Sequence, residues 1–259
     1  MAMFMGFVDG DGYIDVGEQK QYLDDKTMAK STIRVRLVIA LHKRDLSLLE
    51  YFVNTLGVGK IDFHELVKFN KVRVIFSKRD LITVIIPLIK KYGLEFLTSQ
   101  RSNQYAKVIY ILENSIISWV DFKYEAQLRV EKSVQELVNL DYFADWLVGF
   151  TMAEGSFGMK ATGSAFYQLK QKGKEHVNLL KAAALLILGE ETKKLFNPDA
   201  VDAYQLSLGS KNDIRLVLCF FTSPDHHPLY GYKREQFITF LAALKTSKRY
   251  SAIAAEFNG

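Results

Sequence analysis

The chain has 259 residues, of which 49% are hydrophobic and 24% charged, so it can form one large domain or two small ones and is too apolar to be disordered. Its net charge of +5 admits a nucleic-acid partner without requiring one. No apolar stretch reaches the ~18–20 residues of a membrane span, and the N-terminus lacks a signal peptide, so neither a membrane location nor a cleavable leader is expected. The single cysteine excludes a disulfide within the chain, and the apolar run around Cys219 predicts a buried thiol.

Hydrophobic periodicity in the first half predicts helices and strands in the order α-β-β-α-β-β-α, with one added helix. The segment from Gly17 to Lys30 is polar and predicts a turn. The predicted elements are a helix around Met3–Val8, strands Tyr13–Val16 and Ser31–Val38, helix Lys43–Leu56, strands Lys60–Glu65 and Asn70–Phe76, and helices Asp80–Lys91 and Asn103–Ile117.

The second half repeats this order after a charged segment, Ser118–Asn139, which contains no Gly or Pro and is expected to be partly helical. We therefore predict two half-domains, residues 1–117 and 140–259, joined by a linker over residues 118–139. The predicted elements are helix Tyr142–Glu154, strands Ser156–Lys160 and Ser164–Lys172, helix Glu175–Leu188, strands Thr192–Phe196 and Val201–Leu208, and helices Asp213–Phe221 and Arg234–Lys245.

A nine-residue motif occurs twice, as Phe-Met-Gly-Phe-Val-Asp-Gly-Asp-Gly at residues 4–12 and as Leu-Val-Gly-Phe-Thr-Met-Ala-Glu-Gly at residues 147–155. An offset of 143 residues relates the copies, and it pairs Asp11 with Glu154. Small residues on one helix face let two helices approach closely, and here they are Gly6, Gly10, Gly149 and Ala153. Two carboxylates at adjacent helix ends repel unless a cation lies between them, and hard divalent cations prefer such oxygen ligands. The alternative is a solvated carboxylate at each of two ordinary helix ends.

The two motifs and their shared element order resemble the LAGLIDADG homing endonucleases in their single-chain, pseudo-symmetric form, over nearly the whole chain. The resemblance implies an α+β fold of two αββαββα half-domains packed through their motif helices, each with a curved antiparallel DNA-binding sheet. It also implies a monomeric, site-specific endonuclease that promotes intron homing. Such an enzyme cuts across the minor groove of a long asymmetric duplex by metal-dependent phosphodiester hydrolysis and leaves 3′ overhangs.

The resemblance also implies a cofactor and its ligands. Mg²⁺ is expected, with Mn²⁺ able to substitute and Ca²⁺ expected to bind without supporting efficient cleavage. The implied metal ligands are Asp11 and Glu154, together with Gly10 and Ala153. Asp9 is expected to be peripheral to this site, because its counterpart at the same offset is Met152, where the family often has an acid.

The family usually places a lysine in each half, near the scissile phosphates. The segment Pro228–Gln236 resembles the one that carries it and indicates Lys233 as a catalytic residue. In the corresponding segment of the first half, Gln100 occupies the expected position and is followed by Arg101. Since glutamine carries no positive charge, either Arg101 substitutes for the lysine or the first half is electrostatically weaker.

Polar side chains alternate along the predicted strands, and a two-stranded ribbon fits the major groove of B-DNA. Some of these side chains would read bases and others would contact phosphates, whereas the alternative is a merely solvated outer sheet face. Because the two halves carry different side chains, we expect an asymmetric target. The candidate DNA-binding residues are Thr32, Arg34, Arg36, Lys71, Arg73, Lys160, Gln168, Lys170, Gln205 and Ser207.

Two alternative functions remain open: an RNA maturase that binds its host intron, and a catalytically weak, sequence-specific DNA-binding protein, which Gln100 and Met152 would favour. The family resemblance implies synthesis inside an organelle, the mitochondrion of a fungus. His226 and His227 lie near two prolines and predict a surface loop, while Trp119 and Trp146 are interpreted as packing residues.

Overall fold

The structure is a computed structural model that describes residues 1–22, 24, 28–126, 131–191, 195–196 and 202–257. The chain divides into two compact units. One unit contains residues 1–10 and 131–259, and the other contains residues 11–130. The N-terminal helix therefore packs with the second half of the chain. None of the described helices is both long and apolar enough to cross a membrane.

The first half of the chain runs through helix α1 (Ala2–Asp11), strands β1 (Gly12–Tyr22) and β2 (Met28–His42), helix α2 (Leu46–Leu56), strand β3 (Lys60–Asp62), helix α3 (Leu66–Phe69), strand β4 (Lys71–Ser77), and helices α4 (Lys78–Asp80), α5 (Ile86–Lys91) and α6 (Ser99–Glu113). The second half runs through helices α7 (Val134–Val138) and α8 (Phe143–Glu154), strands β5 (Gly155–Met159) and β6 (Ala165–Lys172), helix α9 (Val177–Leu188), strands β7 (Leu195–Phe196) and β8 (Ala203–Leu208), and helices α10 (Lys211–Thr222), α11 (Gly231–Thr246) and α12 (Ser251–Ala254).

Each half builds one antiparallel sheet, and over the described residues both sheets have four strands in the same order. The order is β1-β2-β4-β3 in the first half and β5-β6-β8-β7 in the second. Alternate strand residues such as Val35, Leu37 and Val74 are buried, and α2 covers this face with Leu49 and Phe52. The predicted α+β class and the repeated αββαββα order are confirmed.

The prediction of a turn over Gly17–Lys30 is wrong for Gly17–Tyr22 and Met28–Lys30, because β1 continues to Tyr22 and β2 begins at Met28. β4 pairs with β2 only from Arg36 to His42, and the earlier part of β2 pairs with β1 and, at Thr32, bridges Ser118. The segment Gly17–Lys30 contains few apolar residues, so it lacks the alternation of apolar and polar residues that predicts a strand. The predicted strand residues Thr192–Lys194 and Val201 lie outside the described residues.

The prediction that Cys219 is buried is also wrong, because its side chain is exposed. Helix α10 buries Ile214, Val217, Leu218 and Phe221, whose spacing of three and four residues defines one face. Cys219 follows this face by one residue and points away from it. The apolar run was therefore a poor guide, since helical periodicity decides which of its members are buried.

Candidate active site

Helices α1 and α8 touch through their backbones. A Cβ atom added to Gly6 would overlap the carbonyl group of Trp146, and one added to Gly149 would overlap that of Met3. One turn later, a Cβ added to Gly10 would overlap the Cβ of Ala153. All four small residues of the two motifs thus lie at one helix contact, where no larger side chain fits.

Each of these helices ends in an acid. Asp11 is the last residue of α1 and is exposed, while Glu154 is the last residue of α8 and is half-buried. A Cβ at Gly10 would stand 3.1 Å from Cγ of Glu154. Gly10, the residue before Asp11, therefore lies against the side chain of Glu154.

The donor atoms at these helix ends are oxygens. The last carbonyl groups of a helix lack intrahelical partners and form the negative end of its dipole, which favours a cation. Carboxylate and carbonyl oxygens suit Mg²⁺, which also keeps several waters. No group of three or more His, Cys, Asp or Glu side chains could hold a metal among the residues that the structure describes. A cation bound by Asp11 or Glu154 would therefore complete its shell with backbone carbonyls, such as those of Gly10 and Ala153, and with water or substrate oxygens.

Lys233 lies at the end of α8. It is the third residue of α11, and its Nζ donates a hydrogen bond of 2.6 Å to the carbonyl oxygen of Gly155. Gly155 directly follows Glu154, so the ammonium group stands beside the backbone that leaves the second motif. The structure thus brings the lysine indicated by the sequence to the same helix end as the second acid.

Arg101, and not Gln100, has the equivalent place in the first half. Helix α6 begins at Ser99, four residues earlier than predicted, so Arg101 is its third residue, as Lys233 is in α11. Gln100 is exposed, whereas Arg101 is buried and its Nη1 donates a 3.2 Å hydrogen bond to Oε1 of Gln104. The same oxygen accepts a 2.9 Å hydrogen bond from the backbone N–H of Ile14, three residues after Asp11.

The glutamine that supports Arg101 has a counterpart with a different role. Gln236 follows Lys233 by three residues, as Gln104 follows Arg101. Its Oε1 is buried and has no hydrogen-bond partner within the described part of the chain. The first half therefore ties its basic side chain to a glutamine, while in the second half the lysine donates to a backbone carbonyl instead.

Asp9 is a buried component of the helix contact, a role that the sequence analysis missed. Its side chain is 2% exposed, and Oδ2 accepts a 2.8 Å hydrogen bond from Nε1 of Trp146. The offset of 143 residues relates Asp9 to Met152 and Trp146 to Met3. Where one motif helix contributes Asp9 and the other Trp146, the equivalent positions are therefore both methionines. Both Asp9 and Trp146 differ from their counterparts in the other motif, and this shared difference is the sequence signal that indicates their contact. The packing role of Trp146 is confirmed.

The first sheet carries its predicted DNA-binding residues on one face. Across β1 and β2, Arg36 pairs with Asp15, Arg34 with Gly17 and Thr32 with Gln19, and across β2 and β4 Arg73 pairs with Ala40 and Lys71 with His42. The three arginines are held by acids that the sequence analysis did not single out. Nε of Arg34 and of Arg36 lie 3.0 and 2.8 Å from Oδ2 of Asp15, and Arg73 is paired with Asp62 at 2.7 Å and with Glu65 at 3.2 Å.

The second sheet presents a different set of side chains. Gln168 lies opposite Ser207 and Lys170 opposite Gln205, so these four share one face of β6 and β8. Nε2 of Gln168 donates a 3.3 Å hydrogen bond to Oγ of Ser207. Lys160 follows the last residue of β5, in the turn that leads to β6. This face therefore carries amide and hydroxyl groups together with Lys170, whereas the first sheet carries ion-paired arginines.

Known endonucleases are similar to this chain in sequence or in fold. Residues 4–112 match the LAGLIDADG endonuclease family. A protein of Dictyostelium citrinum described as a probable intron-encoded endonuclease aI3 is 24% identical, with 92% of each chain covered. I-SmaMI bound to its uncleaved DNA target in the presence of calcium ions has a TM-score of 0.73 at 17% identity, covering 99% of this chain and 98% of that one. The I-LtrWI LAGLIDADG homing endonuclease bound to target DNA has a TM-score of 0.73 at 16% identity, covering 99% and 97%. The fold is therefore shared over the whole chain.

Proposed function

We propose that this chain is a LAGLIDADG homing endonuclease that cuts both strands of a long, asymmetric DNA target, and the match of residues 4–112 to the LAGLIDADG endonuclease family supports this. The observation that carries this proposal is the pair of helices α1 and α8. They pack backbone to backbone through Gly6 and Gly149, and each ends in a carboxylate. We propose that the enzyme acts as a monomer, since both motifs are present in one chain, and that its cuts leave 3′ overhangs.

Mg²⁺ is the proposed cofactor, with Asp11, Glu154 and the carbonyl oxygens of Gly10 and Ala153 as its ligands. The oxygen-only donor set at the helix ends fits a hard cation. When bound, a divalent cation supplies activation of water and neutralisation of developing charge in phosphodiester hydrolysis. We propose that Mn²⁺ substitutes and that Ca²⁺ permits binding without efficient cleavage. The complex of I-SmaMI with uncleaved DNA and calcium ions supports the second point.

Lys233 and Arg101 are the proposed cationic groups near the scissile phosphates. The ammonium group of Lys233 is a compact charge that can contact a phosphate oxygen, whereas a guanidinium group forms bidentate contacts. The two sheets are the proposed DNA-binding surfaces, and phosphate contacts would make the affinity salt-dependent. DNA complexes of I-SmaMI and I-LtrWI, which share this fold, support DNA as the partner.

The intron-encoded relative also bears on the biological role. A protein with 92% coverage in both chains is described as intron-encoded, which supports promotion of intron homing and synthesis within an organelle. Exon sequences that flank such an intron are therefore a rational first set of targets to assay.

Substitution of the two acids tests the proposal. We expect the wild-type chain to linearise members of a supercoiled plasmid library that carries long random sites when Mg²⁺ is present. The variant Asp11→Asn/Glu154→Gln should lose cleavage and still shift the recovered sites in a gel, because carboxamides are weaker cation ligands of nearly the same shape. Glu50→Gln, an exposed acid on α2, is the matched control and should cleave normally. Cleavage that survives the double substitution would overturn the assigned site.

A further inference from the structure

A single carboxylate organises two arginines on the outer face of the first sheet. Oδ2 of Asp15 accepts hydrogen bonds from Nε of Arg34 at 3.0 Å and from Nε of Arg36 at 2.8 Å. Arg36 lies directly opposite Asp15 in the β1–β2 register, whereas Arg34 lies two residues away, opposite Gly17. Both guanidinium groups therefore converge on one oxygen atom from the neighbouring strand.

Gly17 makes room for the more distant arginine. A Cβ at this position would stand 3.0 Å from Nη2 of Arg34, which shows that the guanidinium group lies over the glycine. In an antiparallel pair, a side chain directly opposite would occupy this space. A methyl group at Gly17 would make Nη2 of Arg34 shift by a few tenths of an ångström, so the glycine favours the position from which Arg34 reaches Asp15.

Asp15 binds Arg34 and Arg36 in a way that leaves their terminal guanidinium nitrogens available for contact with bases. Within the described residues, the hydrogen bonds of Arg34 and Arg36 to Asp15 use Nε alone. The terminal nitrogens Nη1 and Nη2 are the pair that can donate to O6 and N7 of guanine. Arg73 differs, because its Nε, Nη1 and Nη2 are all engaged with Asp62 and Glu65.

Stability does not explain this arrangement. The side chains of Arg34, Arg36 and Asp15 are 39%, 31% and 23% exposed, and exposed ion pairs contribute little to the free energy of folding. Fixing two flexible arginines before binding does, however, reduce the conformational entropy lost when they contact DNA. The carboxylate also cancels one of the two positive charges and so weakens sequence-independent attraction to phosphates.

We propose that Asp15 is a specificity-determining positioning residue, which with Gly17 aims Arg34 and Arg36 at guanines in the major groove. Residues two apart on a strand are separated by ~6.8 Å, close to two base-pair steps of B-DNA. The two arginines therefore read positions about two base pairs apart in the half of the target that the first sheet contacts. This inference rests on the proposed function, since it requires that the sheet face binds DNA.

The test measures sequence preference in the full-length chain with cleavage removed by Asp11→Asn/Glu154→Gln. A randomised duplex library is selected for binding, and the base preference at each position is counted for each variant. Asp15→Asn should reduce the guanine preference at two positions by roughly tenfold each and should raise affinity for an unrelated duplex, because one negative charge is lost. Gly17→Ala, which leaves the charge unchanged, should weaken only the position read by Arg34.

Glu50→Gln provides the matched control, because it removes one exposed acid from α2 and should leave the preferences unchanged. Thermal melting should show the same transition for all variants. Unaltered guanine preferences in Asp15→Asn, or a uniform gain in affinity without loss of preference, would overturn the positioning role. Absence of any selected sequence with the parent protein would instead overturn the proposed function, so the two failures are distinguishable.

Discussion

The carboxylate of Asp9 is buried two residues before the exposed Asp11, and the two acids of the first motif therefore have different roles. Oδ2 of Asp9 accepts the indole N–H of Trp146, which is itself fully buried, at 2.8 Å. An indole N–H that loses its acceptor in such a place retains the cost of its desolvation. Asp9 thus stabilises the contact between α1 and α8, and its lack of an acidic counterpart in the second motif does not weaken the proposed metal site.

Substitution of Asp9 should reveal this role in the free energy of unfolding. Asp9→Leu should destabilise the protein by about 1–3 kcal/mol, because the N–H of Trp146 is left buried without an acceptor. Asp9→Asn keeps an oxygen acceptor and should cost less. The comparison uses chemical denaturation of Asp9→Leu, Trp146→Phe and the double variant. A double variant whose destabilisation equals the sum of the single values would show that the pair does not interact.

At the scale of the element, the contact between α1 and α8 depends on glycine backbones. Gly6→Ala or Gly149→Ala should each destabilise the protein by about 3 kcal/mol or more, because the added methyl group meets a backbone carbonyl that cannot rotate away. The loss is measured by thermal or chemical denaturation. Gly209→Ala is the comparison for a milder contact, since its added Cβ would lie 3.1 Å from the carbonyl oxygen of Ala165 without overlapping it, and a clearly smaller loss is expected.

The next turn of the same contact permits a compensating exchange. Gly10→Ala places a methyl group against the methyl group of Ala153 and should destabilise the protein, while Ala153→Gly removes that obstacle. The double variant Gly10→Ala/Ala153→Gly should therefore recover part of the stability lost in Gly10→Ala. A double variant no more stable than Gly10→Ala would show that the two small residues do not face each other in solution.

The sequence predicts an element correctly where burial gives that element a regular pattern of apolar residues. Helices such as α8 and strands such as β4 bury one face or all of their surface, so their apolar pattern indicated them correctly. The ends of β1 and β2 that fall within Gly17–Lys30 have no such pattern, and the sequence predicts a turn there. The start of α6 at Ser99 was also missed, because its first turn, Ser-Gln-Arg-Ser, carries no apolar residue.

The sequence likewise predicts only some residues of the candidate site. The repeated motif indicated Asp11 and Glu154 directly, since local sequence determines where a helix ends. The partners of Arg34, Arg36 and Arg73 depend on strand register, which the sequence alone does not specify. Asp15, Asp62 and Glu65 therefore emerged only from the structure.

At the scale of the whole molecule, the two halves share a sheet order but differ in the basic residue at the start of a helix. Arg101 is 9% exposed and bonded to Gln104, whereas Lys233 is half-buried and donates to the carbonyl of Gly155. A largely buried guanidinium group tied to a glutamine is less available to a phosphate than a half-buried ammonium group. If each half serves one strand of the duplex, the two strands experience different electrostatic stabilisation during cleavage.

We therefore predict that the two strands are nicked at different rates. On a defined target with a different dye on each strand, one strand should be cut first and nicked duplex should accumulate. Lys233→Gln should slow one strand by roughly a hundredfold and Arg101→Gln should slow the other, because each removes the cation of its own half. Lys245→Gln, an exposed lysine later in α11, makes the same charge change and should alter neither rate. Equal rates in the wild-type chain would contradict the predicted asymmetry, whereas a single substitution that slows both strands alike would mean that the two basic residues do not act on separate strands.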